Sequence, residues 1–222
     1  MNPNMKYIAV IDYDRLDHPL FMKSFSGAMG QQKSCTGIIL HGDSAYTERL
    51  IQTGMMREDA VLRSTSDLNH RIVALLADNG VSAVGVNGYQ KNIISLSGDK
   101  LSIDRHWIDS RPPGTHLILS NLVRDQSSQK ITPVSLRTLT DALSYRLECR
   151  TVFLFSREDE NDSLFTDRAN QKSTGTKNRQ EVLRLVPEEL LPPPKNSYLG
   201  TTHDFANLPD ISHFHPLFPK KK

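Results

Sequence analysis

A chain of 222 residues, 37% hydrophobic and 23% charged, is long enough to bury one substantial core and has the composition of an ordinary soluble globular domain. Its 27 basic and 25 acidic residues leave a formal charge of +2, which argues against a nucleic-acid surface spread over the molecule. No apolar run nears the roughly 20 residues that cross a bilayer, and residues 1–6 lack the basic-then-apolar order of a secretion signal, so no membrane partner and a cytoplasmic location are expected.

In chain order, residues 7–13 read as a short apolar strand, 14–19 as a polar connection and 20–29 as a helix. The next strand covers 36–40. It ends in His41-Gly42-Asp43-Ser44, a turn in which Asp43 or Ser44 caps a helix over 45–53, with Gly54 as its stop. Residues 67–96 are the most legible. Leu68, Ile72, Leu75 and Leu76 recur at helical spacing from about residue 66, and Asn79-Gly80 supplies the left-handed conformation that ends a helix. Val81, Ala83, Val84 and Val86 then run apolar into Asn87-Gly88, as a strand covered on both faces does. A polar hairpin at 97–100, a buried strand over 117–119 continuing into 121–123, a helix opened by Pro133 over 134–147 and a strand over 151–155 continue the alternation. That alternation predicts a three-layer αβα sandwich around a mostly parallel sheet.

After Phe155 the character changes. Residues 157–178 are polar without periodicity and predict an exposed loop. Residues 181–191 fit one short amphipathic helix stopped by Pro192-Pro193-Pro194, and 195–222 carry few regular signals before a closing lysine triplet. The chain therefore divides into an α/β domain over 1–156 and a divergent, partly irregular C-terminal segment over 157–222 that packs on that domain or extends it. There is no internal repeat.

Residues Leu68-Asn69-His70-Arg71-Ile72-Val73-Ala74-Leu75-Leu76 and Ser82-Ala83-Val84-Gly85-Val86-Asn87-Gly88 resemble the helix V-N-K-E-L-V-A-L-L and the turn K-A-V-G-L-S-G of the amino-acid kinases, closest to the acetylglutamate kinases. Ile38-Ile39-Leu40-His41-Gly42 is similar to that family's strand ending in H-G-G-G. The resemblance spans residues 5–155 and is densest over 67–94. It implies the carbamate-kinase-like αβα fold and a homo-oligomer, with a dimer favoured. It also implies transfer of phosphate from ATP, with Mg²⁺, to the carboxylate of an N-acylated amino acid in arginine biosynthesis.

Phosphoryl transfer depends on backbone N–H groups and cations gathered around the phosphates, and at three places the chain departs from the family's arrangement. The family's first strand leads into Lys-x-Gly-Gly; here Asp12 stands at the lysine position and Asp14-Arg15 at the glycines. At about 4 Å and an effective dielectric of 20, one lysine–phosphate attraction is worth about 4 kcal/mol, so a reversed charge shifts the balance by roughly twice that. At the second turn only His41-Gly42 remains of H-G-G-G, followed by Asp43-Ser44. At the third, Pro133, Ser135 and Arg137 occupy the Asn, Asn and Asp positions of Asn-x-Asn-Ala-Asp, and the nucleotide-binding half is truncated.

No catalytic residue, cofactor or metal is therefore expected. The expected role is binding of a small carboxylate metabolite or of a partner by a degenerate kinase scaffold. The alternative is an active kinase using ATP and Mg²⁺, with Arg15, Lys23 or another base replacing the lysine. The substrate side is better preserved in outline: Arg57 lies near the family's carboxylate-gripping arginine, and Gly85, Asn87 and Gly88 match a turn bordering its substrate cleft. His41, Gly42, Ser44, Arg57, Gly85, Asn87 and Gly88 are thus the candidates for substrate binding. Each has a plainer reading, an exposed arginine in a polar loop or residues that only shape a tight turn.

The remaining features favour structural readings. Cys35 and Cys149 lack a metal spacing and read as buried free thiols. His203, Asp204, His213 and His215 have ligand chemistry without tight ligand spacing. Ser173-Thr174-Gly175-Thr176-Lys177 lacks the full phosphate-loop pattern and a preceding strand.

Overall fold

A computed structural model describes residues 5–32, 35–157 and 179–218. In chain order the elements are β1 (Met5–Ile11), α1 (Tyr13–Leu16), α2 (Pro19–Gln31), β2 (Cys35–His41), α3 (Ala45–Gln52), α4 (Arg57–Asp78), β3 (Ala83–Asn87), β4 (Ile94–Ser97), β5 (Lys100–Ile103) and α5 (Arg105–Asp109). They continue with β6 (His116–Ser120), β7 (Leu122–Asp125), β8 (Ile131–Pro133), α6 (Leu136–Arg146), β9 (Val152–Phe155), α7 (Arg179–Arg184), β10 (Ser197–Gly200), α8 (Thr202–Ala206) and β11 (His215–Pro216).

The main sheet has the order β11-β10-β9-β1-β2-β6-β3 and is parallel except for β11. Its strands read as continuous apolar runs because both faces are covered. Along β1, Tyr7, Ala9 and Ile11 enter one core while Ile8 and Val10 enter the other, the two-residue period of a pleated strand. The first core joins the sheet to α2, α4 and α8 through Phe21, Phe25, Leu68, Ile72 and Phe205. The second joins it to α6 and α7 through Leu139, Leu143 and Val182, and to a smaller sheet ordered β5-β4-β7-β8 through Ile94, Ile103 and Val123. A mixed α/β architecture with a large, mostly parallel central sheet between helical layers results, as the alternation predicts.

One close approach fixes a residue type. A Cβ at Gly37 on β2 would collide with the Tyr7 ring on the neighbouring strand, so only glycine fits opposite that tyrosine. The ring is then free to meet Phe153 and Phe205 edge-on, with centroids at 5.7 and 5.3 Å.

Several boundaries differ from expectation, each for a local reason. The helix expected from residue 66 begins at Arg57, because its buried positions there are Ala60, Ser64 and Thr65, small residues that carry no apolar period. The strand expected over 117–123 is two strands in two sheets, since Asn121 hands the chain across: its N–H donates to His41 O at 3.0 Å and its carbonyl accepts from Val134 N–H at 3.0 Å. Pro133 ends β8 instead of opening a helix, and Ser135 caps α6 by accepting from Thr138 N–H at 3.1 Å. The helix expected over 181–191 breaks before Pro187 into α7 and a 3₁₀ turn at Glu188–Leu190. The tail with few signals supplies β10, α8 and β11. The hairpin at 97–100 forms between β4 and β5, with Gly98 at φ 58.

Of the loop expected over 157–178, residues 158–178 lie outside the described residues, as do the Ser173–Lys177 motif and the lysine triplet at 220–222. Among those described, no helix is long and apolar enough to cross a membrane.

Candidate functional site

The parallel strands β1, β2, β6 and β3 end on the same side of the sheet, the edge at which open α/β sheets bind ligands. Asp12 follows β1, His41 ends β2, Ser120 ends β6 with Asn121 immediately after it, and Asn87 ends β3. All five are buried, a concentration of polar side chains that a purely structural sheet end does not need.

Asp12 is 2% exposed and pairs at 3.2 Å with Arg15, itself 7% exposed. Arg15 also lies over the Phe21 ring, 5.3 Å from its centroid. Burial pushes the Asp12 carboxyl above its ordinary range; the attraction of Arg15 opposes that without cancelling it, and Asp14 adds to it. The nearest base is thus consumed by the acid that stands at the expected lysine position.

The backbone N–H of Tyr13, which opens the turn after β1, is also occupied. It donates to Glu189 Oε1 at 2.8 Å, a carboxylate delivered from 176 residues away by the 3₁₀ turn before Pro192. An N–H at a strand-to-helix turn is where an anion docks, and here the chain's own side chain supplies the anion. Burial raises the Glu189 carboxyl, the Tyr13 N–H pulls it down, and Asp12, Asp43 and Asp14 raise it further. Asp43 is raised chiefly by burial as well. Asp12, Asp14 and Asp43 therefore lie close enough to Glu189 for their charges to act on it and on any phosphate that takes its place.

His41 is fully buried and committed on both ring nitrogens: Nε2 lies 3.0 Å from Asn69 Nδ2, and Nδ1 lies 2.9 Å from Gly42 O. Because Asn69 Nδ2 also faces the carbonyls of Val86 and Ile118, it is the donor, which places the ring proton on Nδ1. Burial lowers the His41 pKa to about 4, only partly offset by the Gly42 carbonyl, so the ring is neutral at pH 7. Gly42 lies against the Asn121 side chain, and a Cβ there would come within 3.3 Å of Asn121 Nδ2.

Ser44 caps α3, accepting from Tyr46 N–H at 3.2 Å and donating to Asp17 Oδ2 at 2.7 Å. Gly85 has no room for a side chain because Asn69 and Val73 pack onto it, and Gly88 is pressed against Leu122 O. Asn87 accepts from Ser120 Oγ at 2.8 Å and donates to Ser66 Oγ at 3.3 Å. His41, Gly42 and Asn87 thus gather at one edge, where each already has protein contacts, whereas Gly85 shapes the packing of α4 on β3.

Arg57 is the first residue of α4, exposed and paired with Glu48 at 3.2 Å. It borders a cavity of about 550 Å³ between α4 and the β7–β8 hairpin, lined also by Val61, Leu62, Leu96, Ile131 and Lys130. This is a cleft with an apolar wall whose charged lining balances, Arg57 and Lys130 against Glu58 and Asp125, so Arg57 can meet a carboxylate only by turning from its acidic neighbours.

Sequence reasoning missed Glu189, Asn121, Asn69 and Thr65. Asn121 Oδ1 and Thr65 Oγ1 are buried without a hydrogen-bond partner among the described residues, the kind of orphaned acceptor that a ligand or water satisfies. The tail histidines gather no metal set: His213 pairs with Asp210 at 3.6 Å, Asp204 is buried in the capping box of α8, and no group of three metal-capable side chains occurs among the described residues.

No protein-family model and no curated protein matches the sequence. Solved structures do match. Isopentenyl phosphate kinase superposes with a TM-score of 0.57 at 16% identity over 91% of this chain and 93% of that one. Aspartate kinase from Synechocystis gives 0.57 at 10% identity over 70% of this chain and 29% of that one. N-acetylglutamate synthase from Neisseria gonorrhoeae, complexed with coenzyme A and N-acetyl-glutamate, gives 0.54 at 15% identity over 82% of this chain and 47% of that one. At these identities the likeness establishes a shared fold, that of the amino-acid kinases.

Proposed function

We propose that this chain is an acetylglutamate-kinase-like binding protein that takes up a small carboxylate metabolite and has lost ATP-dependent phosphoryl transfer. The observation that carries the reading is Glu189, whose carboxylate holds the Tyr13 N–H at 2.8 Å beside the buried Asp12–Arg15 pair. An incoming phosphate has to displace the Glu189 carboxylate and then sit near Asp12, Asp14 and Asp43, whose like charge opposes it.

The carboxylate ligand enters the cavity beside α4. Its apolar wall takes an acyl group, and Arg57 turns from Glu48 to the ligand, since that exposed pair is worth at most about 1 kcal/mol. A second reading, an active kinase with rearranged bases, is favoured by one observation. The likeness to isopentenyl phosphate kinase covers 91% of this chain, so it includes part of the segment after residue 156.

Calorimetric titration separates the two. Mg·ATP gives no saturable heat at millimolar concentration, whereas N-acetyl-L-glutamate binds, and Arg57→Ala weakens it by about 10-fold or more, the loss of one charge-assisted hydrogen bond. Micromolar Mg·ATP affinity together with acyl phosphate, trapped as a hydroxamate, overturns the proposal.

A further inference from the structure

The opposite end of the sheet, where β1 and β2 begin, holds a second and larger cavity of about 650 Å³, within the range of small-molecule sites. We propose that it binds an aliphatic monocarboxylate. Tyr7, Ile8, Ile38, Ile108 and Leu147 form its apolar wall, and Arg111 enters it from the segment after α5.

The charges select the head group. Asp109 is taken by Lys6 at 3.5 Å and by Arg105 at 3.2 Å, and Glu148 by Arg105 at 2.9 Å. Arg111 makes no ion pair among the described residues. Its Nε donates to Ile108 O at 2.7 Å and its Nη1 to Thr115 O at 3.4 Å, which fixes the guanidinium plane and leaves Nη2 without a hydrogen bond among the described residues, on a side chain that lines the cavity. Burial weakens the charged form of this half-buried guanidinium, with Asp109 pulling the other way, so an anion at Nη2 restores what burial removes. Neighbouring His116 gives no competing charge; burial and Arg111 lower its pKa to about 4, and its Nδ1 accepts from Gly37 N–H at 3.0 Å. Lys6, Arg111 and Arg150 against Asp109 and Glu148 leave the lining one positive charge in excess, which matches a single carboxylate. The aliphatic wall supplies the remaining affinity through buried apolar area.

The probe is octanoate, titrated calorimetrically into the full chain below its micelle concentration, with 1-octanol as the uncharged control. One saturable site is expected, at least 10-fold tighter for the acid than for the alcohol. Arg111→Gln brings octanoate down to the alcohol's affinity, and Leu147→Trp, which fills the cavity from its rim, abolishes both. Absence of saturable binding, equal affinity for acid and alcohol, or undiminished binding in Leu147→Trp overturns the proposal. If Arg111→Gln fails to fold, the acid–alcohol comparison and Leu147→Trp decide it.

Discussion

At the scale of single residues, the Asp12–Arg15 pair determines what the β1 turn tolerates. Two charges that are 2% and 7% exposed are stable together and unstable apart. Asp12→Ala therefore strands a buried guanidinium whose Nε already lacks a partner, and is expected to lower stability by about 3–5 kcal/mol in urea denaturation. A loss under about 1 kcal/mol would show that Arg15 swings into solvent, leaving the turn free to accept an outside anion. The acid at position 12 was legible in the sequence, because one residue type at one register carries the information. Its partner three residues on was not resolved from other bases, and Glu189 was invisible, since nothing local ties a carboxylate to an N–H 176 residues away. His41 was picked out by its motif, but whether its nitrogens face a ligand or the protein is decided by Asn69, a neighbour only in space.

At the scale of elements, helices and strands with a clean apolar period were readable and those built from small polar residues were not. The stretch from Leu68 to Leu76 announced α4; Ser64 and Thr65, buried but polar, concealed its first two turns. The tail was the largest omission. In α8, Thr201 and Asp204 form a reciprocal capping box that places Phe205 on Tyr7, Phe25, Phe153 and Phe155, with centroids between 5.3 and 5.6 Å. A single aromatic in an irregular stretch has no period to reveal it. Phe205→Ala is expected to lower stability by about 3–5 kcal/mol, the range for a large buried ring, and to shift the thermal midpoint of the whole chain in calorimetry. A separate low-temperature transition with the main one unmoved would instead mean that the tail is a detachable layer.

At the scale of the molecule, buried histidines set the acid limit. His41 and His116 titrate near 4 when folded, against 6.5 when exposed, because burial disfavours their charged forms. Between those values the unfolded chain binds more protons, so stability is complete above about pH 6.5 and falls as the pH drops toward 4, with a slope approaching two protons, about 2.7 kcal/mol per unit. Asp12, Asp43 and Glu189, all raised by burial, act in the opposite sense at the acid end, since protonating them favours the folded state. Asp17 sides with the histidines: burial alone would raise it, but donation from Ser44 and Tyr46 N–H and the charges of Arg49 and Arg71 leave it lowered. Urea midpoints measured from pH 4 to 8 check the slope, and a flat profile from 6.5 to 4.5 would contradict neutral buried rings. The place of β1 between β2 and β9 also bears on biosynthesis. A ribosome adding about 5–20 residues per second needs on the order of ten seconds to move from Ile11 to Val152, and for that interval one flank of an apolar strand waits for a neighbour not yet made. The nascent chain thus depends on whatever shields it in the meantime, and a faster or slower message alters the yield of protein without changing a single side chain.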